Sequence, residues 1–322
     1  MLPPAIEVLA AAHRLRGVVE RTPLVRSAGL SDRVGTDVFL KCEHRQRTGS
    51  FKIRGAYNAL ATLPEEVRRR GVVASSAGNH GMGLAWAARS LGVRAKIFVP
   101  ATAPAVKREG IAELGAEVDA TQSDYDAAHH VAVTYAREHD MTFINPCAGD
   151  PLLAGQGTVA LEILEELPQV ATIVVPVGGG GLVGGIAALV RTVAPSVRVV
   201  GAQSVKTNAM AASLAAGRRV DVAVTPTLAE GLAGQVDDEG FAIGRAALDE
   251  IATVTEQEIA EAIAWLSHEH DMRVEGSAAV GVALLLRDRA RAAGAPIAVV
   301  VTGGNIDDTR WRAIVDGPGT YN

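Results

Sequence analysis

The sequence predicts an α/β protein of two parallel-sheet domains facing a cleft, on three observations. From Gly71 to His139, short apolar runs alternate strictly with helix-like segments. The rhythm breaks at the turn-rich stretch Asn145 to Pro151, a domain crossing. It resumes with the apolar run Thr172 to Val177 and the helix-like stretch after it. Short apolar strands separated by helices imply βαβ units and a parallel sheet. Two such sets leave a cleft between them, a common place for a ligand site.

Taken in order, residues 4–16 read as a helix with Ile6, Leu9 and Ala10 on one face. Thr22-Pro23 breaks the chain, and Asp37 to Cys42 reads as a strand. Thr48-Gly49-Ser50 is a turn signal, and a helix follows to about Leu60. Val72 to Ser75, Ala95 to Val99 and Ala116 to Asp119 read as strands. They alternate with helices over His80 to Leu91, Pro104 to Leu114 (proline in its first turn) and Asp124 to His139. A helix over Leu152 to Glu166 opens the second set, followed by the strand Thr172 to Val177, the helix Leu182 to Thr192 and the strand Val197 to Ala202. The region 204–250 gives no clear pattern. Glu256 to His268 and Ser277 to Arg289 read as helices, and Ile297 to Val301 as a last strand. There is no repeat and no low-complexity tract.

Composition narrows the function. At 322 residues, 48% hydrophobic and 21% charged, the chain is globular with room for a large core. A net charge of −5, a pI near 5.9 and only 4% aromatic residues argue against nucleic-acid binding. Cys42 and Cys147 form neither a CxxC nor a metal-ligand spacing and suit a reducing compartment, so a cytoplasmic location is expected. Met1-Leu2-Pro3-Pro4 has neither the charge nor the apolar run of a signal peptide. Leu167 to Val190 lacks charge and is long enough to span a bilayer, but Pro176, Gly178 to Gly181 and Gly184-Gly185 interrupt it. It reads as a buried strand, a glycine loop and a buried helix.

Three constellations carry chemistry, with Lys52 beside them. Lys52 sits between Phe51 and Ile53 at a helix start, where the helix dipole and apolar neighbours disfavour its charge and favour an amine able to act as nucleophile or base. A surface lysine in a first turn is the plain alternative for that segment alone. Val174 to Leu182 runs from a strand through Gly178, Gly179, Gly180 and Gly181 into a helix, the makings of a phosphate cradle. Gly179, Gly181 and Gly184 satisfy GxGxxG, but the next strand ends at Gln203 where a dinucleotide fold wants an acid. No Gly-Lys-Ser/Thr follows either, so a small phosphorylated cofactor fits better. Ser75 to Gly81 lies at another strand-to-helix junction, where Asn79 offers both donor and acceptor. Alone, Asn79 reads as a helix cap and His80 as structural. Thr302-Gly303-Gly304-Asn305 ends the last strand with a hydroxyl able to meet a ring nitrogen. Alone, it reads as a turn. Lysine, cradle, polar ring contacts and strand-end hydroxyl together describe a pyridoxal phosphate site.

Lys41-Cys42-Glu43, Thr48 to Ala56, Ser76 to Gly81, Gly155 to Thr158, Pro176 to Leu182, Glu230-Gly231, Glu275-Gly276 and Thr302 to Asp307 follow one another over nearly the whole chain. In that order they resemble the fold-type II pyridoxal-phosphate enzymes, in the branch of serine/threonine dehydratases and serine racemases. The resemblance implies two open three-layer α/β domains of the tryptophan-synthase-β-like kind, with the cofactor in the cleft. Residues 1–64 and 147–322 would form the large cofactor-binding domain and 65–146 the small one. It implies Lys52 as the Schiff-base lysine and acceptor of the Cα proton, Phe51 against the ring, and Asn79 at the phenolic oxygen. Gly178 to Gly181 would hold the phosphate, and Thr302 the pyridine nitrogen, left unprotonated by a neutral partner. Ser76, Ala77, Gly78, Asn79 and His80 would grip the substrate carboxylate, and the departing hydroxyl would take its proton from the phosphate. A homodimer is the family default.

The departures sharpen this reading. Racemases of the branch carry a second serine where this chain has Ala77, and alanine cannot deliver a proton, which favours a dehydratase. Metal-activated members carry carboxylates where Gln203 and Ala209 align, so no metal is expected, although Glu230 remains. The chain ends at Asn322, shortly after the last motif, so feedback control by isoleucine through the added regulatory domain of biosynthetic threonine dehydratases is not expected. Asn145 to Pro151 departs from the family's acidic-proline pattern, consistent with an altered substrate pocket. The expected activity is removal of water and ammonia from a β-hydroxy amino acid such as threonine or serine. The alternatives are 3-hydroxyaspartate, a phenylserine or a hydroxyectoine-derived acid as substrate, a serine racemase, a nicotinamide-dependent oxidoreductase, or a non-catalytic binding protein, against which Lys52 argues.

Overall fold

A computed structural model describes residues 2–223, 225–287, 295–317 and 321. Among these residues the strands form two sheets. The chain enters through helix α1 (Ala5–Leu15), strand β1 (Leu24–Arg26), helix α2 (Ala28–Val34) and strand β2 (Val38–Lys41). Helices α3 (Lys52–Ala61) and α4 (Glu65–Arg70) lead away from it. The smaller sheet follows as β3 (Val72–Ser75), α5 (Asn79–Leu91), β4 (Ala95–Pro100), α6 (Ala105–Glu113), β5 (Glu117–Gln122), α7 (Tyr125–Glu138) and β6 (Thr142–Phe143). The chain then returns through α8 (Asp150–Glu166), β7 (Thr172–Pro176), α9 (Gly181–Val193) and β8 (Arg198–Ser204). Helices α10 (Ala209–Ala216) and α11 (Asp238–Ala247) precede β9 (Glu250–Val254). The remainder is α12 (Glu256–His270), α13 (Gly276–Arg287), β10 (Ile297–Val300) and α14 (Asp308–Val315).

The larger sheet runs β1–β2–β10–β7–β8–β9, with β1 antiparallel to β2 and the other pairs parallel. The smaller runs β5–β4–β3–β6, all parallel. Both are covered on each face, as the period of two in a strand requires. Ile173, Val175, Ala298 and Val300 join Val183, Ile186 and Val190 of α9 in one core. Val174, Val299, Val38 and Leu40 point the other way, into Ile263 and Leu266 of α12 and Val280 and Leu284 of α13. In the smaller sheet Val72, Ala74, Ile97 and Val99 pack with Leu60 of α3 and Leu84 of α5, while Val73 and Phe98 face Ala128 and Ala132 of α7.

Helix α8 passes close to its neighbours because glycines allow it. A Cβ on Gly155 would lie 2.5 Å from the carbonyl oxygen of Arg54 in α3, and one on Gly185 in α9 would lie 2.2 Å from that of Leu153. The Gly155-Gln156-Gly157-Thr158 motif is thus a packing surface that fixes α3, the helix bearing Lys52, against the larger sheet.

The α/β architecture matches the expectation, with one sheet wholly parallel and the larger one parallel except at its edge strand β1. Leu167 to Val190 resolves into β7, the glycine loop and α9, and among the described residues no helix is long and apolar enough to cross a membrane. The region 204–250 contains α10 and α11. Strand β9 and the two-residue β6 were not anticipated. The helix expected to Arg289 is described to Arg287, and its last two residues lie outside the described ones.

Candidate active site

In an open α/β sheet, ligands bind beyond the carboxyl ends of the strands, where the strand order reverses. Here β10 lies between β2 and β7. The segments after these strands, and the one after β3, carry the residues singled out in the sequence.

Lys52 is the first residue of α3, with Phe51 as its N-cap. The turn before it is zipped to the segment after β10. Phe51 N–H donates to the Thr302 carbonyl (3.1 Å), Gly304 N–H donates to the Gly49 carbonyl (2.9 Å), and Ser50 bridges Gly303. Gly49 takes φ +71°, and a Cβ there would meet Asn305 Oδ1 at 2.2 Å, so this turn needs glycine. Lys52 Nζ lies 5.2 Å from the Phe51 ring centroid and donates to the Pro146 carbonyl at 3.0 Å. The hydroxyls of Thr48 and Ser50 are buried without a protein partner.

Gly178 to Gly181 joins β7 to α9, with Gly180 as N-cap at φ +102°. A Cβ on Gly179 would lie 2.8 Å from Cys147 Sγ, and one on Gly181 would lie 3.0 Å from the Cys147 Cα and carbonyl oxygen. The cradle is therefore closed on one side by the 145–149 turn, in which Asn145 Oδ1 accepts from the N–H groups of Cys147 (2.8 Å) and Ala148 (3.1 Å). Gln203, at the end of β8, is buried and structural: its amide donates to the Val177 and Thr207 carbonyls.

Ser76, Ala77, Gly78 and Asn79 are half-buried at the N-terminus of α5, with Gly78 as N-cap. Ser76 Oγ accepts from Gly78 N–H at 3.3 Å. His80 is buried, and its Nε2 sits 3.2 Å from the Ile144 carbonyl while Nδ1 has no protein partner. Burial, and then the Lys52 charge, hold its pKa down at about 3, so the ring is neutral. What His80 can offer a substrate is its backbone N–H.

Asn79 is not a helix cap. Its Nδ2 donates to Glu275 Oε1 (2.8 Å), and its Oδ1 accepts from Asn305 Nδ2 (2.7 Å), which also donates to the Thr48 carbonyl (2.8 Å). The amide is thereby oriented, with one Nδ2 hydrogen remaining for another acceptor. Thr302 is buried one residue from Gly303, at which a Cβ would meet Glu275 Oε1 at 2.8 Å.

Beneath the site lies a charge cluster that the sequence did not reveal. Arg54, two residues past Lys52, is fully buried and holds Glu43 bidentately (2.8 Å, 2.8 Å) and Glu162 of α8 (2.6 Å, 3.0 Å). Lys41 Nζ reaches Glu162 (2.6 Å) and the Thr22 carbonyl (2.5 Å). Burial disfavours the Glu162 charge, but Arg54 and Lys41 outweigh it and hold this carboxyl below its usual range. Two acids and two bases make the cluster neutral overall. At the other end of the site, Glu230 pairs with Lys107 of α6 (3.1 Å) and with Arg310 of α14, so one carboxylate ties the smaller-sheet side to the larger. Among the described residues no three His, Cys, Asp or Glu side chains group as metal ligands.

The comparisons with known proteins agree with this geometry. Residues 15–303 match the family model described as pyridoxal-phosphate dependent enzyme. The chain is 43% identical over 302 residues to an L-threonine ammonia-lyase of Thermotoga maritima, covering 94% of this chain and 75% of that protein. It is 34% identical over 318 residues to an L-threo-3-hydroxyaspartate ammonia-lyase of Saccharomyces cerevisiae, covering 98% of each. Its fold is similar to that of maize serine racemase, with a TM-score of 0.92 at 32% identity over 98% of each chain.

Proposed function

The chain belongs to the pyridoxal-phosphate-dependent enzyme family, and from that premise we propose that it is a dehydratase (ammonia-lyase) converting L-threonine or L-serine to a 2-oxo acid and ammonia. The observation that carries the reading is that Lys52, the Gly178 to Gly181 cradle and Thr302 follow the adjacent strands β2, β7 and β10, while Asn79, after β3 of the smaller sheet, is tied to the segment after β10 through Asn305. These residues fit pyridoxal phosphate. The cradle leaves no room for side chains at Gly179, which suits a phosphate held by backbone N–H groups and a helix N-terminus. The orphan hydroxyls of Thr48 and Ser50 and the spare hydrogen on Asn79 Nδ2 are donors waiting for an acceptor. When bound, the cofactor supplies the electron sink that acidifies the substrate Cα proton.

The chain's own residues do the rest. Lys52, whose Nζ donates to the Pro146 carbonyl at 3.0 Å, would hold the cofactor aldehyde through its amine, and the same amine would be the base for the substrate Cα proton. Phe51 packs beside it. Asn79 would offer its remaining hydrogen to the cofactor's phenolic oxygen, and the neutral Thr302 hydroxyl would face its ring nitrogen. Ser76, Ala77, Gly78, Asn79 and His80 hold the substrate carboxylate at the N-terminus of α5, chiefly through backbone N–H groups. Ala77 has no proton to give, so elimination is favoured over racemisation. Lys107 and Arg310 both pair with Glu230, which favours a neutral substrate side chain over a second carboxylate.

We place the domain divisions after residues 64 and 146; β3 to β6 all fall between them. We further expect a homodimer acting in the cytoplasm. The exposed Ile6 and Leu9 of α1 and the two free cysteines support this, and sedimentation of the purified protein checks the dimer.

The test is a visible absorption spectrum of wild type beside Lys52→Ala, before and after L-threonine and L-serine, with ammonia release followed in parallel. A cofactor band in wild type, altered in the variant, with ammonia from one of the two amino acids, supports the proposal. A protein that takes up no pyridoxal phosphate refutes it.

A further inference from the structure

Glu275 belongs to none of the roles above, yet it touches the site more closely than several residues that do. Its Oε1 accepts from Asn79 Nδ2 at 2.8 Å, and a Cβ on Gly303 or Gly231 would lie 2.8 or 3.7 Å from the same oxygen. The residue is partly open, but protein crowds the carboxyl itself. Asn305 holds the other end of the Asn79 amide. The row Asn305, Asn79, Glu275 thus fixes which way Asn79 aims its remaining hydrogen.

We propose that Glu275 is a positioning residue for the cofactor site: it holds the Asn79 amide toward the cofactor's phenolic oxygen, and its own proton, taken up or released, sets the charge behind that oxygen. The inference rests on the reading that the site binds pyridoxal phosphate. In the cofactor-free protein the carboxyl is raised to about 7 on balance: burial out of water pushes it up, the Asn79 bond and the charges of Lys107 and Lys52 pull it down, and Glu230 pushes it up. Arg310 sits behind Glu230 and moderates that push. The carboxyl is therefore protonated on the acid side of neutrality and ionised on the basic side. Lys107 lies on the smaller-sheet side, so the ion pair that ties the two sides together also biases the Glu275 proton.

The experiment titrates the visible absorption and fluorescence of the holoenzyme from about pH 5.5 to 9 in wild type, Glu275→Gln and Lys107→Met. Wild type is expected to change with one midpoint within that range. Glu275→Gln, which still accepts from Asn79, should keep the band and lose that titration. Lys107→Met removes a positive charge and should move the midpoint upward by roughly half a pH unit. A Glu275→Gln band that titrates like wild type, or a Lys107→Met midpoint that does not move, overturns the inference. Should Glu275→Gln not fold, the Lys107→Met midpoint decides alone. A protein with no cofactor band overturns the reading of the site itself, an outcome distinct from a band indifferent to Glu275.

Discussion

Replacing Arg54 by methionine tests whether the buried charge cluster holds α3, and with it Lys52, in place. The substitution keeps much of the side-chain volume but leaves Glu43 fully buried with Thr22 Oγ1 as its remaining side-chain partner, while Glu162 retains Lys41. Breaking a buried pair from one side costs about 3–5 kcal/mol, because the stranded charge has neither water nor partner. With an unfolding entropy of about 2.1 cal/mol/K per residue, a chain this long loses about 6 °C of Tm for 4 kcal/mol. The assay is thermal unfolding of the cofactor-free protein by circular dichroism, with cofactor uptake measured beside it. Adding Glu43→Gln should restore more than half of the loss, since it removes the stranded charge. An Arg54→Met variant melting within about 1 °C of wild type, or a double variant whose losses simply add, refutes the reasoning.

Other perturbations give separate checks. Gly179→Ala should weaken pyridoxal phosphate binding by about tenfold or more, because its Cβ meets Cys147 Sγ at 2.8 Å, and Cys147→Ala should restore part of it; equilibrium dialysis reads both. Ala77→Ser supplies a hydroxyl on the carboxylate-binding turn and should yield detectable D-serine from L-serine by chiral chromatography. In cofactor-free protein, His80 with its lowered pKa contributes stability that is complete above the ordinary histidine value and lost as pH falls toward 3, at about 1.4 kcal/mol per pH unit. Urea midpoints against pH should therefore flatten on the acid side in His80→Asn. Glu275, with its raised pKa, acts in the opposite sense: stability falls as pH rises from about 4.5 to 7, and Glu275→Gln should remove that fall.

What was legible in the sequence follows from locality. Val72 to Ser75, Thr172 to Pro176 and Ile297 to Val300 are buried on both faces, so each reads as an unbroken apolar run between glycine, proline or helix signals. Glu250–Val254 is an edge strand, half-exposed along most of its length, and carries no such run. Helix α10 is alanine-rich with no strong apolar face, which hid it. The glycine cradle was readable because backbone N–H groups do its work within four consecutive residues. Asn79, Asn305 and Glu275 lie far apart in the chain, as do Lys41, Arg54 and Glu162, so neither grouping could be seen before the strands were placed. Lys41-Cys42-Glu43 and Glu275-Gly276 stood out as motifs, but their chemistry is that of partners met only in three dimensions.

The position of β10 bears on how the enzyme is made. This strand fills the gap between β2 and β7, so on the ribosome those two strands wait side by side with exposed ladder groups while the intervening residues are translated. At about 5–20 residues per second, translating the stretch from β7 to β10 takes on the order of ten seconds. During that interval the smaller sheet, whose strands are contiguous in sequence, already has all four of them. The larger sheet has not, and neither Thr302 nor the Phe51 to Thr302 zipper exists. A nascent chain arrested before Ile297 should therefore protect the smaller sheet from protease, bind no cofactor, and present to chaperones the open groove that β10 later occupies.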